Sequence, residues 1–246
     1  MNDPDRNSFQ TTHWSIVQAA VDSDDLGRDA MQELCGRYWF PLYAFLRRRG
    51  CQEQQAQDLI QAFFLRLLEK DVLRKADRER GRFRSFLLAS LKHFVSNESA
   101  KDHAVRRGGG RAIASLDFRD AEGRLATEAI DGISPDAHFH RQWAVEVLDR
   151  AMAVLRRELE SEGKAELFAS LRPYLSVDSR SHPYEAVAEN LGMQPEAVRV
   201  ATHRLRRRYR KCLEAEIGET VSTREEVEQE IQELFVALRV APPPVE

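Results

Sequence analysis

Between Arg199 and Lys211 the chain carries seven Lys or Arg residues and no acid, with His203 among them. Guanidinium groups at this density can bind phosphates, and those on a helix face can also reach base edges in a major groove. The spacing suits that chemistry. Val198, Thr202, Leu205, Tyr209 and Cys212 or Leu213 fall on one helical seam, which leaves Arg199, His203, Arg204, Arg206, Arg207, Arg208, Arg210 and Lys211 on the other faces. Just upstream, Tyr184, Val187, Ala188 and Leu191 recur at helical spacing, and Gly192 stands where a left-handed C-cap is expected. Gln194 takes the next N-cap position and Pro195 the first helical one. Short helix, glycine turn and arginine-loaded helix make the pattern of a helix-turn-helix over 184–210. A solvated face on a structural helix is the plainer alternative, but turn, caps and charge in one register favour DNA binding.

The elements that must position this helix are expected to be helical too. With only 12 Gly and 9 Pro in 246 residues, abundant Ala, Leu, Glu and Arg, and no convincing alternating run, the chain reads as all-α. Its length allows one large or two small domains, and 42% hydrophobic with 31% charged residues indicates a soluble globular protein. A net charge of −3 argues against a uniformly basic binder. Charge is segregated instead, since 219–233 holds six Glu and one Arg. Three cysteines without a CxxC pair argue against a disulfide framework or zinc site and fit a reducing cytoplasm. No secretion signal or membrane-spanning run is evident.

The periodicity predicts two helical domains joined by a flexible linker, the second ending in the helix-turn-helix and followed by a helical extension. The first covers 10–107. It opens with an amphipathic helix from Thr11 to Ala20, capped by Thr11 or Thr12, followed by an aromatic-rich stretch from Asp29 to Arg49 that should break or kink at Pro41. From Gln54 to Lys70, Ala56, Leu59, Ile60, Phe63, Phe64, Leu67 and Leu68 form a core ladder, with Asp58, Gln61 and Ala62 exposed opposite. Phe83 to Glu98 resumes the pattern with Arg82, Arg84 and Lys92 interleaved, and Gly108 to Gly110 closes the domain. Residues 108–135 read as the linker and 136–217 as the second domain, with helices through Ala144–Leu155 and Glu166–Leu175. An acidic helix from Ser222 to Arg239 dominates the extension, 218–246. Its apolar set Val227, Ile231, Leu234, Phe235 and Leu238 favours packing on the second domain; binding a partner or masking the basic helix are the alternatives.

Catalytic chemistry finds no support in the residues. There is no carboxylate cluster with metal spacing, no phosphate-cradling glycine loop and no nucleophile with a base at hand, so neither catalytic residues nor a cofactor are assigned. His138 and His140, two apart, do not share a helical face, and no metal site is assigned to them.

This layout resembles bacterial RNA polymerase sigma factors, and more narrowly the extracytoplasmic-function (ECF) group, which keeps only the second and fourth sigma domains. Three segments carry the resemblance. AQDLIQAFFLRLLEK (56–70) is similar to the polymerase-binding helix. FRSFLLASLKHFVSNESAKDHAVRRGG (83–109) is similar to the helix and loop that engage the minus-ten element, and 184–210 to the helix-turn-helix that reads the minus-thirty-five element. The TTHWSIV, RYWFPLYAFLRRRG, GRFRSFLLASLKHF and SPDAHFHRQWA runs look most like variants from planctomycete-type bacteria.

The resemblance implies that Asp58, Gln61 and Ala62 meet core RNA polymerase, Ala62 standing where the family usually has an acid. It implies that Lys92, His93, Asn97, Lys101, Arg106 and Arg107 contact the minus-ten strand, with His93 in place of a frequent Asn and Asn97 of a frequent Asp. Gln194, Glu196, Arg199, Val200, His203, Arg204 and Arg207 would face the minus-thirty-five element, Ala197 and Val200 replacing frequent Thr and Ser. Arg199 leads as a bidentate guanine contact, worth ~1–3 kcal/mol of discrimination. Arg206, Arg207, Arg208 and Arg210 would mostly meet phosphates. The implied function is a cytoplasmic ECF-type sigma factor with no cofactor and no membrane partner. Its partners are core RNA polymerase, promoter DNA and, as a further class, an anti-sigma factor or other regulator. The alternative is a stand-alone helix-turn-helix regulator that needs no polymerase.

Overall fold

The computed structural model describes residues 20, 25–68, 73, 82–102, 116, 118–127, 132–175, 183–221 and 223–238. Within them the regular elements are all helices: α1 Asp25–Arg48, α2 Glu53–Leu68, α3 Phe83–Asp102, α4 Ala121–Thr127, α5 Pro135–Ser161, α6 Ala165–Leu171, a 3-10 turn Arg172–Leu175, α7 Tyr184–Leu191, α8 Pro195–Gly218 and α9 Arg224–Leu238. The helix expected from Thr11, except Ala20, lies outside the described residues, as do Gly108–Gly110, 176–182 and the proline-rich tail. Among the described residues no helix is long and apolar enough to cross a membrane. The chain divides into two compact units, Met1–Glu146 with Ile217–Glu246, and Val147–Glu216.

In the first unit, α1 runs through Pro41 without the expected interruption. Proline inside a helix costs about 3 kcal/mol. Here Leu42, Tyr43, Ala44, Phe45 and Leu46 beyond it are all buried, and that packing outweighs the local penalty. Helix α2 buries Ala56, Ile60, Phe63, Phe64 and Leu67, as the ladder requires. Helix α3 buries Phe83, Leu87, Leu88, Leu91 and Phe94.

Three segments fall differently from the expected division: residues 136–146, expected in the second domain, belong to the first unit, as do the linker helix and the acidic extension. Part of the 108–135 linker is helix α4, fastened to α1. Glu122 accepts hydrogen bonds from the Tyr43 hydroxyl (2.5 Å) and from Arg47 Nε and Nη2 (2.8 and 2.7 Å). The hydrogen bonds from Arg47 hold the Glu122 carboxyl below the usual range against the opposing effect of burial, with Tyr43 assisting. Phe118 packs edge-on against Trp39 at 5.1 Å, and the Arg124 guanidinium lies 3.5 Å over the Phe40 ring. The aromatics of α1 are therefore core, and they recruit the linker into it.

The acidic extension belongs to the first unit and meets the start of the expected second domain within it, where Arg141 donates to the Leu238 carbonyl at 3.0 Å. Thr223 and Glu226 form a reciprocal capping box at the start of α9: Thr223 Oγ1 accepts from the Glu226 amide (3.1 Å), and Glu226 from the Thr223 amide (3.2 Å). Val227, Ile231, Leu234 and Ala237 are buried, whereas Phe235 is 42% exposed. Glu230 is buried with them, facing Arg84 of α3, whose Nε donates to it at 2.9 Å while Nη2 donates to Glu233 at 2.6 Å. Arg84 also lies 4.3 Å over the Trp143 ring and donates to His140 Nδ1 at 2.6 Å. Arg82 pairs with the same two carboxylates. Arg82 and Arg84, interleaved with apolar residues in the sequence, are thus covered by the acids of α9, Arg84 fully and Arg82 in part.

Two histidines of α5 make this unit acid-sensitive. His138 is fully buried with neither ring nitrogen hydrogen-bonded; burial, then the charges of Arg48 and Arg141, lower its pKa to about 4. Burial and then Arg84 lower His140 to about 4 as well, against Asp136 and Glu233, which raise it, with Lys92 also lowering it. Unfolded histidine titrates near 6.5, so between that value and about 4 the unfolded chain holds the extra proton and stability falls as pH drops. Urea unfolding should show a loss on the order of 2 kcal/mol from His138 alone between pH 7 and pH 5. His138→Leu should remove about half of the loss in that window, His140 supplying the rest; an unchanged pH profile would refute the assignment.

Candidate nucleic-acid interface

In the second unit, α7 ends on Gly192, which adopts φ 61°, ψ 31°, and its amide closes the helix onto the Ala188 and Glu189 carbonyls. A side chain there would force an L-residue into the left-handed region, so glycine sets the angle at which α8 departs. Helix α8 starts at Pro195 as expected and buries Val198, Thr202, Leu205, Cys212 and Leu213. Tyr209 is half-buried, its hydroxyl donating to the Leu148 carbonyl at 3.2 Å. The preceding helix is shorter than expected: α6 stops at Leu171 and tightens into the 3-10 turn through Pro173, which has no amide to continue the ladder.

With the seam buried, Gln194, Glu196, Arg199, Val200, His203, Arg204 and Arg207 are all exposed. Positions 200, 203, 204, 207 and 211 form one stripe at helical spacing. Arg204, Arg207 and Lys211 have no hydrogen-bond or ion-pair partner among the described residues. The other arginines differ from expectation. Arg206 donates through Nε and Nη2 to the Tyr174 carbonyl (3.2 and 3.0 Å). Arg208 is clamped by Glu158 (2.9 Å) and Glu162 (3.0 Å), and Arg210 by Glu214 (2.7 Å). Hydrogen bonds from Arg208 and then Lys164 bring the Glu162 carboxyl down to about 2. Two arginines assigned to phosphates, Arg206 and Arg208, thus tie α8 to other elements of the unit, while Arg210 pairs within its own helix. Nothing local in the sequence marks Arg206 and Arg208, whose partners are on other elements, whereas the Arg210–Glu214 pair has the i,i+4 spacing of a helix surface.

Beside this stripe an apolar groove of 570 Å³ is lined by Leu167, Phe168, Leu171, Val200 and Leu205, with Lys164, Arg204 and Arg208 also lining it. Val200, 50% exposed, is the stripe's single large apolar side chain.

In the first unit a smaller cavity of 250 Å³ opens between α2 and α3. Phe63, Leu67, Phe86 and Phe94 supply its apolar lining, and Arg66, Ser90, His93 and Asn97 its polar groups. It is smaller than the roughly 300–1,000 Å³ pockets that take drug-sized molecules, and suits one flat ring system. His93 and Asn97, expected to face a nucleic-acid strand, are exposed at this cavity. Lys92 is not a free cation, because Asp136 pairs with it and the Phe45 ring lies 5.7 Å away. The Lys101 side chain, Arg106 and Arg107 lie outside the described residues. Phe86, Ser90 and Phe94 were missed as lining residues; Ser90 interrupting an apolar face at i+4 from Phe86 was the available signal.

On the outer face of α2, Asp58 and Ala62 are exposed and Gln61 half-buried. Asp58 accepts one long hydrogen bond, from Gln54 at 3.4 Å. Among the described residues no group of three or more potential metal ligands gathers, and the three cysteines are free. Burial pushes the Cys35 thiol up to about 12, far from nucleophilic. No family model matches the chain, nor does any curated protein or solved structure.

Proposed function

We propose that the chain is a promoter-recognition factor of the ECF sigma type, which binds core RNA polymerase and directs initiation by reading minus-ten and minus-thirty-five elements. The observation that carries this reading is the stripe on α8. A helix-turn-helix with a left-handed glycine turn presents Arg199, Val200, His203, Arg204 and Arg207 together on an open face. Arg199 pairs with a guanine edge, Val200 meets a thymine methyl, and Arg204, Arg207 and Lys211 position the helix on phosphates. The cavity between α2 and α3 takes a base extruded from melted DNA, its phenylalanines offsetting lost stacking and His93 and Asn97 offering hydrogen bonds to the base edge. No bond is made or broken; the work is differential binding of closed and melted DNA.

Polymerase engagement is assigned to the exposed face of α2. Asp58 is exposed and Gln61 half-buried on that face, and neither belongs to the buried ladder, so their substitution should leave the fold intact. Asp58→Ala together with Gln61→Ala should weaken capture by purified core RNA polymerase about tenfold or more, equivalent to about 1.4 kcal/mol. The double variant should melt with the parent protein. Undiminished capture would remove α2 from the interface, and absence of capture by the parent would favour a stand-alone DNA-binding regulator.

A further inference from the structure

Arg199 is held before any ligand arrives. Its guanidinium lies 5.6 Å over the ring of Tyr184, the first residue of α7, and its Nη1 is 3.8 Å from Glu196 one turn earlier. Tyr184 stacks in turn on Tyr174, with centroids 4.8 Å apart and planes 8° from parallel. Tyr174 is buried, its hydroxyl donates to the Pro183 carbonyl at 3.3 Å, and its own carbonyl receives Arg206. The three residues form a column rooted in the core at Tyr174. The outer end remains open, since the Arg199 side chain is 59% exposed.

We propose that Tyr184 is a positioning residue for sequence readout: its ring, fixed by Tyr174, holds Arg199 in a narrow range of directions, so the base preference carried by Arg199 depends on Tyr184. This rests on the reading of α8 as a DNA-recognition helix. A planar guanidinium is drawn to an aromatic face, and prior ordering of a long, rotamer-rich side chain removes part of what binding would otherwise cost. The Glu196 pair cannot do this alone, because at 3.8 Å between two largely exposed groups it holds its partner weakly.

The test is selection from a pool of duplexes with a randomised central segment, using the full chain and four variants. Arg199→Ala should erase the preference at one base position. Tyr184→Leu should reduce the preference at that same position about two- to fivefold, the range expected for losing an exposed cation–π contact. Preferences elsewhere should persist, and Tyr184→Phe, which keeps the ring, should retain the parent preference. In the Arg199→Ala background, Tyr184→Leu should change nothing further at that position. A purely structural tyrosine would instead lower affinity for all sequences alike, and that outcome overturns the proposal. So does a Tyr184→Leu profile identical to the parent's. Should Tyr184→Leu fail to fold by circular dichroism, Tyr184→Met carries the same comparison. If the parent protein selects no sequence at all, the DNA-recognition reading itself falls, a result distinct from failure of the tyrosine's role.

Discussion

Arg84→Leu is expected to destabilise the first unit by about 3–5 kcal/mol, the range for breaking a buried ion pair from one side. The side chains of Arg84 and Glu230 are only 5% and 3% exposed, so each depends on the other for its charge to be tolerated. With the arginine gone, Glu230 keeps Arg82 at 3.2 Å among the described residues, and Trp143 and His140 lose their guanidinium. Adding Glu230→Leu should recover most of the loss, because two apolar groups can replace a buried pair at little net cost. Arg82→Ala, at a position 24% exposed, should cost about 1 kcal/mol or less. Urea denaturation of the four proteins tests this. Equal effects at Arg82 and Arg84, or no recovery in the double variant, would contradict the joint described between α3 and α9. Truncation after Ile217 should therefore unfold the first unit, since it also strips the face that buries Val227, Ile231 and Leu234.

The second large effect concerns salt. Were every basic residue of α8 directed at phosphate, DNA affinity would fall very steeply with ionic strength. The structure leaves Arg199, Arg204, Arg207 and Lys211 on the open side, while Arg206, Arg208 and Arg210 are engaged within the unit. With Arg199 on a base edge, about three neutralised phosphates, at Arg204, Arg207 and Lys211, give a slope of about −2.7 in log affinity against log salt. Between 50 and 200 mM salt that is a loss of about fortyfold. Arg204→Ala with Arg207→Ala should make the slope shallower by about two. Arg208→Ala should leave the slope alone and lower thermal stability instead, because its guanidinium answers to Glu158 and Glu162. Binding of a short duplex across a salt series reads all three.

Periodicity reported the faces of this molecule well and their partners poorly. The seam of α8, the ladder of α2 and the left-handed Gly192 were legible because each is a local property: a repeat near 3.6 residues, or one backbone angle only glycine takes easily. The docking of α9 was not. Arg84 and Glu230 are 146 positions apart, and charged side chains are read as exposed unless a partner is known. The same blindness counted Arg206 and Arg208 as cations free for phosphate. Helix α4 was hidden for a different reason: seven residues are too few to show a period, and what holds them is Glu122 against the aromatic wall of α1. His93 and Asn97 were singled out by the resemblance alone, whereas the phenylalanine-lined cavity beside them needed the packing of α2 against α3.

Run-off transcription tests the central claim most directly. Core RNA polymerase, the purified chain and a library of promoter-length genomic fragments should yield transcripts with discrete start sites. The productive fragments should share two sequence elements at a fixed separation. Arg199→Ala should lose the upstream element, and the Asp58→Ala, Gln61→Ala variant should lose transcription altogether. A chain that binds duplex DNA selectively yet starts no transcript on any fragment would contradict the account, and would leave a DNA-binding regulator in its place.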